Sequence, residues 1–400
     1  MFNFYEFFAG GGMAKAGLGS DWQCLFANDS DPIKAATYVS NWGGGTISTK
    51  DVGDVSLADL KGQADLIWAS FPCQDLSLAG NGAGLAGSKS GAFWKFWKIV
   101  QQLNEIGQAP KIIALENVMG AVTSHGGRDF QALCSALVAE GYRLGALCLD
   151  AVHFLPQSRK RLFIVGVKNA LRIPDEIVSG APVAFSTTQS IISAHSRLSE
   201  NTTKCWVWWN ACEPNVIRPD LMSVLVEESE AGPWHPNKKT QYLLSLMDEN
   251  NKAKVVEVMK AGNPSVGTIY KRMRPSKGMQ NVQRAEVRFD GVAGCLRVPI
   301  GGSSKQTLLF VHGKDVKSRT LSPRESARLM GLGEDYVLPT NERQAYHLTG
   351  DGVAVPVVSY LRDMIFQPLL NANLDKRIQI SSTVESHSVD QRAPVEIVAQ

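Results

Sequence analysis

Through the first 170 residues, short apolar runs alternate with stretches of helical period, and no other feature constrains the fold as much. The apolar runs predict strands over Asn3–Phe8, Cys24–Asn28, Leu66–Ser70, Ile112–Glu116, Leu144–Asp150 and Leu162–Lys168. Helical patterns fall between them at Met13–Leu18, Pro32–Asn41, Ala92–Asn104 and Gly127–Glu140. Strands that alternate with helices build βαβ units, so an α/β fold with a mostly parallel sheet is expected. From about Pro174 to Ser318 the rhythm breaks into a stretch rich in Ser, Asn, Pro and Trp, which predicts a smaller, irregular second domain. Helical character returns at Ser322–Met330. Ser322 is placed to cap, Pro323 to open the first turn and Glu325 to complete a capping box.

A chain of 400 residues is long enough for two or three domains. The net charge of +3 hides an asymmetry. Residues 186–318 carry 18 basic and 12 acidic side chains, whereas residues 1–185 carry 15 and 16. The excess concentrates between Lys271 and Lys305, where eight basic residues face only Glu286 and Asp290. Such a segment is either a solvated surface or a polyanion-binding module. Seven scattered cysteines without a C-x-x-C pair argue against a disulfide framework or a zinc site, and for a reducing cytosol. No metal ligands are assigned. No apolar run of membrane-spanning length and no signal peptide is read, so no membrane is expected. The Trp206, Trp208, Trp209 cluster is read as core packing of the second domain rather than a base-stacking surface.

Four places carry chemistry. Phe8-Ala9-Gly10-Gly11-Gly12 joins a strand to a helix, and glycines there let a ligand approach the backbone. The next strand ends at Asn28-Asp29, and an acid at that point suits ribose hydroxyls, so a nucleoside-containing cofactor is expected. Cys73 follows Pro72 at a strand end, where it is either a small core side chain or a group at the ligand-binding edge of the sheet. The glycine-rich stretch after it, Gly80 to Gly91, reads as a lid. Glu116-Asn117 ends another apolar strand, as a cap or a catalytic acid. In Gln157-Ser158-Arg159-Lys160-Arg161, alternate residues share a strand face, which gives two arginines suited to anions or carbonyl oxygens.

Together these blocks resemble the DNA (cytosine-5) methyltransferase family of the prokaryotic or phage type. The matching motifs are Phe8 to Gly12, Asn28-Asp29, Gly53-Asp54-Val55, Phe71-Pro72-Cys73-Gln74, Glu116-Asn117-Val118 and Gln157 to Arg161, followed by Arg319 to Glu325 and Gly350-Asp351-Gly352-Val353. The resemblance spans residues 4 to about 365 except the middle, where members of the family diverge and read their target. It implies a Rossmann-like fold dependent on S-adenosyl-L-methionine. The expected division is a catalytic domain over 1–185, a target-recognition domain over 186–318, a return to the catalytic domain over 319–370 and a flexible tail over 371–400.

The resemblance also implies roles. Cys73 would add to carbon 6 of a flipped-out cytosine. Glu116 would serve ring N3 and the exocyclic amine, Arg161 would bind O2, and Arg159 would steady the acid. Phe8 would stack on adenine, and Ala9, Gly10 and Gly12 would meet the methionine end. Asp29 would take the ribose, Asp54 the adenine amine, and Pro72, Asp351 and Val353 would complete the pocket. Asp29 stands for a usual Glu, Met13 for a frequent Gly and Asp351 for a frequent Asn. Gln74, Ser77, Arg272, Arg274, Ser303, Ser304, Lys305 and Gln306 would contact double-stranded DNA. Sequence-specific methylation in the bacterial or host cytoplasm follows, with a cognate restriction endonuclease as an expected partner. Two readings compete: an RNA cytosine-5 methyltransferase using the same residues, and a catalytically silent DNA-binding protein. The intact Cys73, Glu116 and Arg161 weigh against silence, and the long basic middle segment weighs against RNA.

Overall fold

The computed structural model describes residues 1–72, 91–275, 281–298 and 305–374. Seven strands form the central sheet: β1 (Phe2–Phe7), β2 (Trp22–Asn28), β3 (Ile47–Ser48), β4 (Leu66–Ala69), β5 (Ile112–Asn117), β6 (Tyr142–Asp150) and β7 (Lys160–Lys168). Their order is β3-β2-β1-β4-β5-β7-β6. The first five run parallel, and β7 lies antiparallel between β5 and β6. The six predicted strands are all present, with ends shifted by one or two residues.

The alternation of side chains across the sheet builds two cores. Phe4, Trp68, Ala114 and Phe163 point to one face, and Tyr5, Ile67, Ile113 and Ile164 to the other. A sheet apolar on both faces must be covered on both. On the first face, helix Met13–Leu18 packs against helix Val355–Leu361. A Cβ at Gly17 would lie 2.4 Å from Cβ of Val358, so glycine permits that approach. The stretch from Glu342 to Leu374 is apolar enough to pass for a membrane span by composition. Val357, Leu361, Phe366 and Leu370 nonetheless belong to the core of this face. On the second face, helices Ala92–Glu105 and Arg128–Ala139 bury Phe93, Phe96, Val100, Phe130 and Leu133.

The middle of the chain holds two features that local pattern did not show. The segment just after residue 186 packs on the catalytic sheet rather than standing apart from it. Leu144 on β6 exchanges backbone hydrogen bonds with Cys205 and Val207. Beyond them β9 (Trp208–Trp209) pairs with β8 (Val178–Ser179). The tryptophans are therefore packing residues of the catalytic unit: Trp209 lies in one core, while Trp206 and Trp208 clasp His195 against the other. Nor is the second unit irregular. β10 (Ser265–Pro275), β11 (Asn281–Arg288), β12 (Thr307–His312) and β13 (Asp315–Thr320) form an antiparallel sheet of order β11-β10-β12-β13. Helices Asn237–Ser245 and Glu249–Ala261 pack on it around Leu243, Met247, Ile269, Val287 and Leu309. The expected cap at Ser322 is present. The Ser322 hydroxyl accepts from the Glu325 amide at 3.2 Å, and Glu325 Oε2 accepts from the Ser322 amide at 2.7 Å. That helix, Pro323–Arg328, ends two residues before the predicted Met330.

Candidate active site

A cavity of about 450 Å³ opens at the carboxyl ends of β1, β2, β4 and β5, where parallel α/β sheets bind their ligands. Its floor is the turn after β1. Phe8 there has φ 57 and Gly10 φ 56, a region where a residue with a Cβ is strained. The Gly10 amide donates to Asp29 Oδ2 at 2.8 Å, and the Asp31 amide to Asp29 Oδ1 at 2.9 Å. The Gly11 carbonyl accepts from Trp42 Nε1 at 2.9 Å and from the Tyr336 hydroxyl at 2.8 Å. A Cβ at Gly11 would fall 2.1 Å from that hydroxyl, and one at Gly12 would fall 2.3 Å from Trp42 Nε1. Two aromatic donors, one from residue 336, thus fix the turn from behind.

Phe8, Ala9, Gly10, Asp29, Pro72, Asp351 and Val353 all line this cavity. Gly12 does not; its missing side chain makes room for Trp42. Asp54 is exposed at the end of the 3-10 turn Val52–Asp54, outside the cavity lining. The negative charge of Asp351 is balanced by Lys34, 2.7 Å away. Burial disfavours the Lys34 ammonium, yet Asp351 and Asp29 hold its pKa above the ordinary value.

Glu6, which sequence reasoning missed, also lines the cavity. It is 1% exposed, and its Oε2 has no hydrogen-bond partner. Burial pushes its pKa from 4.5 up to about 8, against the opposing pull of Lys15 and the Ala14 and Lys15 amides. A buried acceptor without a partner, on a residue that lines a cavity, asks for a cationic or donor group there. The ammonium end of S-adenosylmethionine is such a group, so the residues present fit that cofactor. The signal was legible in the sequence as one acid inside an otherwise apolar strand.

At the other end of the cavity stand Glu116, at the end of β5, and Arg161, near the start of β7. Arg161 Nε lies 3.2 Å from Glu116 Oε1, and both side chains are largely buried. Burial raises the Glu116 pKa beyond what Arg161, Arg159 and the Ser70 hydroxyl take back. Asn117 Nδ2 donates to the Phe71 carbonyl at 3.2 Å and fastens the Phe71-Pro72 segment beside the acid. Cys73, Gln74, Ser77 and the glycine-rich stretch up to residue 90 lie outside the described residues. Arg159 is brought near this pair but does not share its hydrogen bonds. Its guanidinium donates to the Leu296, Gly350 and Gly352 carbonyls and acts on Glu116 through charge alone.

A second cleft, of about 510 Å³, is lined by Lys271, Arg272, Arg297, Lys305 and Gln306, with Cys295 on its floor. Arg272 lies 3.5 Å from Glu286, and its guanidinium sits 5.8 Å from the Tyr270 ring centre. Arg274 is not among the lining residues and pairs with Glu286 instead, Nε to Oε1 at 2.7 Å. Lys305 Nζ stands over the Tyr346 ring at 4.7 Å. The Gln306 amide is engaged by the Ile269 carbonyl at 3.1 Å. Ser303 and Ser304 lie outside the described residues. Arg297 and Cys295 were not anticipated as cleft residues; only their position between basic neighbours could have flagged them.

The profile of the C-5 cytosine-specific DNA methylase family matches residues 2–367. The Type II methyltransferase M.NlaX of Neisseria lactamica is 25% identical over 385 residues, covering 94% of this chain and 100% of its own. The Type II methyltransferase M.HhaI of Haemophilus parahaemolyticus is 23% identical over 362 residues, with 90% and 92% covered. Among solved structures, the S. pombe Dnmt2 methyltransferase shares the fold at TM-score 0.54 and 17% identity, covering 92% of this chain and 99% of that one. The Entamoeba histolytica methyltransferase EhMeth does so at TM-score 0.58 and 14% identity, with the same coverage.

Proposed function

We propose a residue-level mechanism for this chain, which belongs to the C-5 cytosine-specific DNA methylase family. It is a DNA cytosine-5 methyltransferase, and its cofactor is S-adenosyl-L-methionine. When bound, the cofactor supplies a methyl group on a positively charged sulfur, which leaves as a neutral thioether.

The observation that carries the mechanism is the buried Glu116–Arg161 pair at the mouth of the cavity, beside Pro72. Carbon 5 of cytosine is a weak nucleophile. Cys73, the residue after Pro72, adds as a thiolate to carbon 6, and the electron pair moves to carbon 5, which takes the methyl. Loss of the carbon 5 proton to a base and departure of the thiolate restore the ring. Glu116, held toward its protonated form by burial, donates to ring N3 and draws electrons from carbon 6. Arg161 holds O2, and its ion pair with Glu116 fixes both side chains. Addition above the ring plane requires the base to leave the duplex stack. Glu6 and the Gly10–Gly11 turn hold the methionine end of the cofactor, Asp29 the ribose and Phe8 the adenine. Arg272 and Lys305 in the basic cleft take DNA phosphates. Arg274, Gln306, Gln74, Ser77, Ser303 and Ser304 remain candidate DNA contacts, and Asp54 remains a candidate for the adenine amine.

We read the activity as sequence-specific modification of double-stranded DNA in the cytoplasm, with a cognate endonuclease as a partner; that the relatives are named Type II methyltransferases supports this reading. The test incubates the purified protein with methyl-labelled cofactor and either random-sequence duplex DNA or total tRNA. Label in 5-methylcytosine of DNA at one sequence context is expected; label confined to tRNA would overturn the DNA reading.

A further inference from the structure

We propose that Arg159 is a positioning residue of the cofactor cavity, holding its Gly350–Gly352 wall to the floor of the DNA cleft. Arg159 is 2% exposed and precedes β7. Its backbone is anchored to the end of β6: the amide donates to Asp150 Oδ1 at 2.8 Å and the carbonyl accepts from the Ala151 amide at 3.1 Å. From that fixed point the guanidinium reaches two remote segments. Nη1 donates to the Leu296 carbonyl at 3.0 Å and touches Cys295 Sγ at 3.5 Å. Nη2 donates to the Gly350 carbonyl at 2.9 Å and the Gly352 carbonyl at 2.5 Å.

Those carbonyls bracket Asp351, the cavity residue paired with Lys34. The same turn also sits directly on the cleft segment, because a Cβ at Gly350 would lie 2.7 Å from the Arg297 carbonyl carbon and the Val298 amide nitrogen. Burying a guanidinium is costly unless its donors are met, and here neutral backbone from both segments meets Nη1 and Nη2, while Nε is buried without a hydrogen-bond partner. Its fork geometry is what lets one side chain reach both. An arginine that steadied the acid would act on the chemical step. An arginine that holds carbonyls on either side of Asp351 acts on cofactor affinity before any DNA arrives.

The inference rests on the reading that this cavity takes S-adenosylmethionine, and the experiment separates the two. Binding of S-adenosylhomocysteine to wild type, Arg159→Lys and Glu116→Gln is measured calorimetrically without DNA. Absence of binding to wild type would overturn the cofactor reading itself. With wild type binding, Arg159→Lys should bind at least tenfold more weakly and Glu116→Gln within twofold of wild type. In turnover, Arg159→Lys should raise KM for the cofactor while the single-turnover rate at saturating cofactor stays within threefold. Unchanged affinity with a slowed chemical step would overturn the assignment and return Arg159 to the acid. Should Arg159→Lys not fold, wild type decides: S-adenosylhomocysteine alone should slow amide exchange at Leu296 and Arg297, neither of which lines the cofactor cavity. Unaltered exchange there would refute the clasp.

Discussion

Glu6→Gln isolates a buried carboxyl whose ionisation opposes folding. Below pH 4.5 the folded and unfolded chains both hold the proton, and the group costs nothing. As pH rises the unfolded chain releases it first, while the folded chain keeps it to about 8. Native stability therefore falls across this window and levels off above it. At about 1.4 kcal/mol for each tenfold difference in proton affinity, the full effect is about 5 kcal/mol. Between pH 5 and pH 8.5 wild type should lose roughly 4 kcal/mol that the glutamine variant keeps. Urea unfolding of both proteins without cofactor, at half-unit pH steps, reads the difference directly and cancels every other titrating group. The unpartnered Oε2 adds a second readout. A cationic group arriving there ionises the acid, so binding S-adenosylhomocysteine at pH 7 should release close to one proton in wild type and none in the variant. A stability difference flat with pH would refute the account of Glu6, and proton release unaltered in the variant would remove it from the cofactor site.

Three further outcomes follow from the geometry. Glu116→Gln should slow single-turnover methylation on the order of 10²–10⁴-fold with the fold intact, and a rate within about threefold of wild type would make the acid structural. Arg272→Ala and Lys305→Ala should each weaken DNA binding and lower the slope of log affinity against log salt by roughly 0.9, without touching cofactor affinity; unchanged slopes would place the phosphate contacts elsewhere. Lys34→Met should weaken cofactor binding by at most about fivefold, because the Lys34–Asp351 pair is partly solvated and such pairs contribute about 1 kcal/mol or less; a hundredfold loss would mean that Lys34 touches the ligand itself.

The catalytic sheet was legible because its strands are buried on both faces and read as unbroken apolar runs. The antiparallel sheet of the second unit was not. β11 is mostly half-buried and includes Gln283, Arg284, Glu286 and Arg288, so its polar side chains mask the two-residue period. The packing of residues 205–209 on the sheet was not legible either, because the ladder from Leu144 to Cys205 and Val207 joins segments sixty residues apart, which local pattern does not register. Within the site, spacing found the turn, Asp29 and Glu116. It could not show that Gly12 serves Trp42, that Tyr336 returns to fix the Gly11 carbonyl, or that Arg159 bonds to carbonyls rather than to the acid. The last two depend on the C-terminal segment folding back onto the sheet.

Covalent addition of Cys73 to carbon 6 is the central claim, and trapping tests it most directly. A duplex carrying 5-fluorocytosine at the methylated position cannot release the carbon 5 substituent as a proton. With S-adenosylmethionine present, wild type should form a denaturation-resistant protein–DNA complex in one-to-one stoichiometry. Cys73→Ala should form none and transfer no methyl group, while still binding S-adenosylhomocysteine. Methyl transfer by Cys73→Ala, or a trapped complex in that variant, would contradict the account.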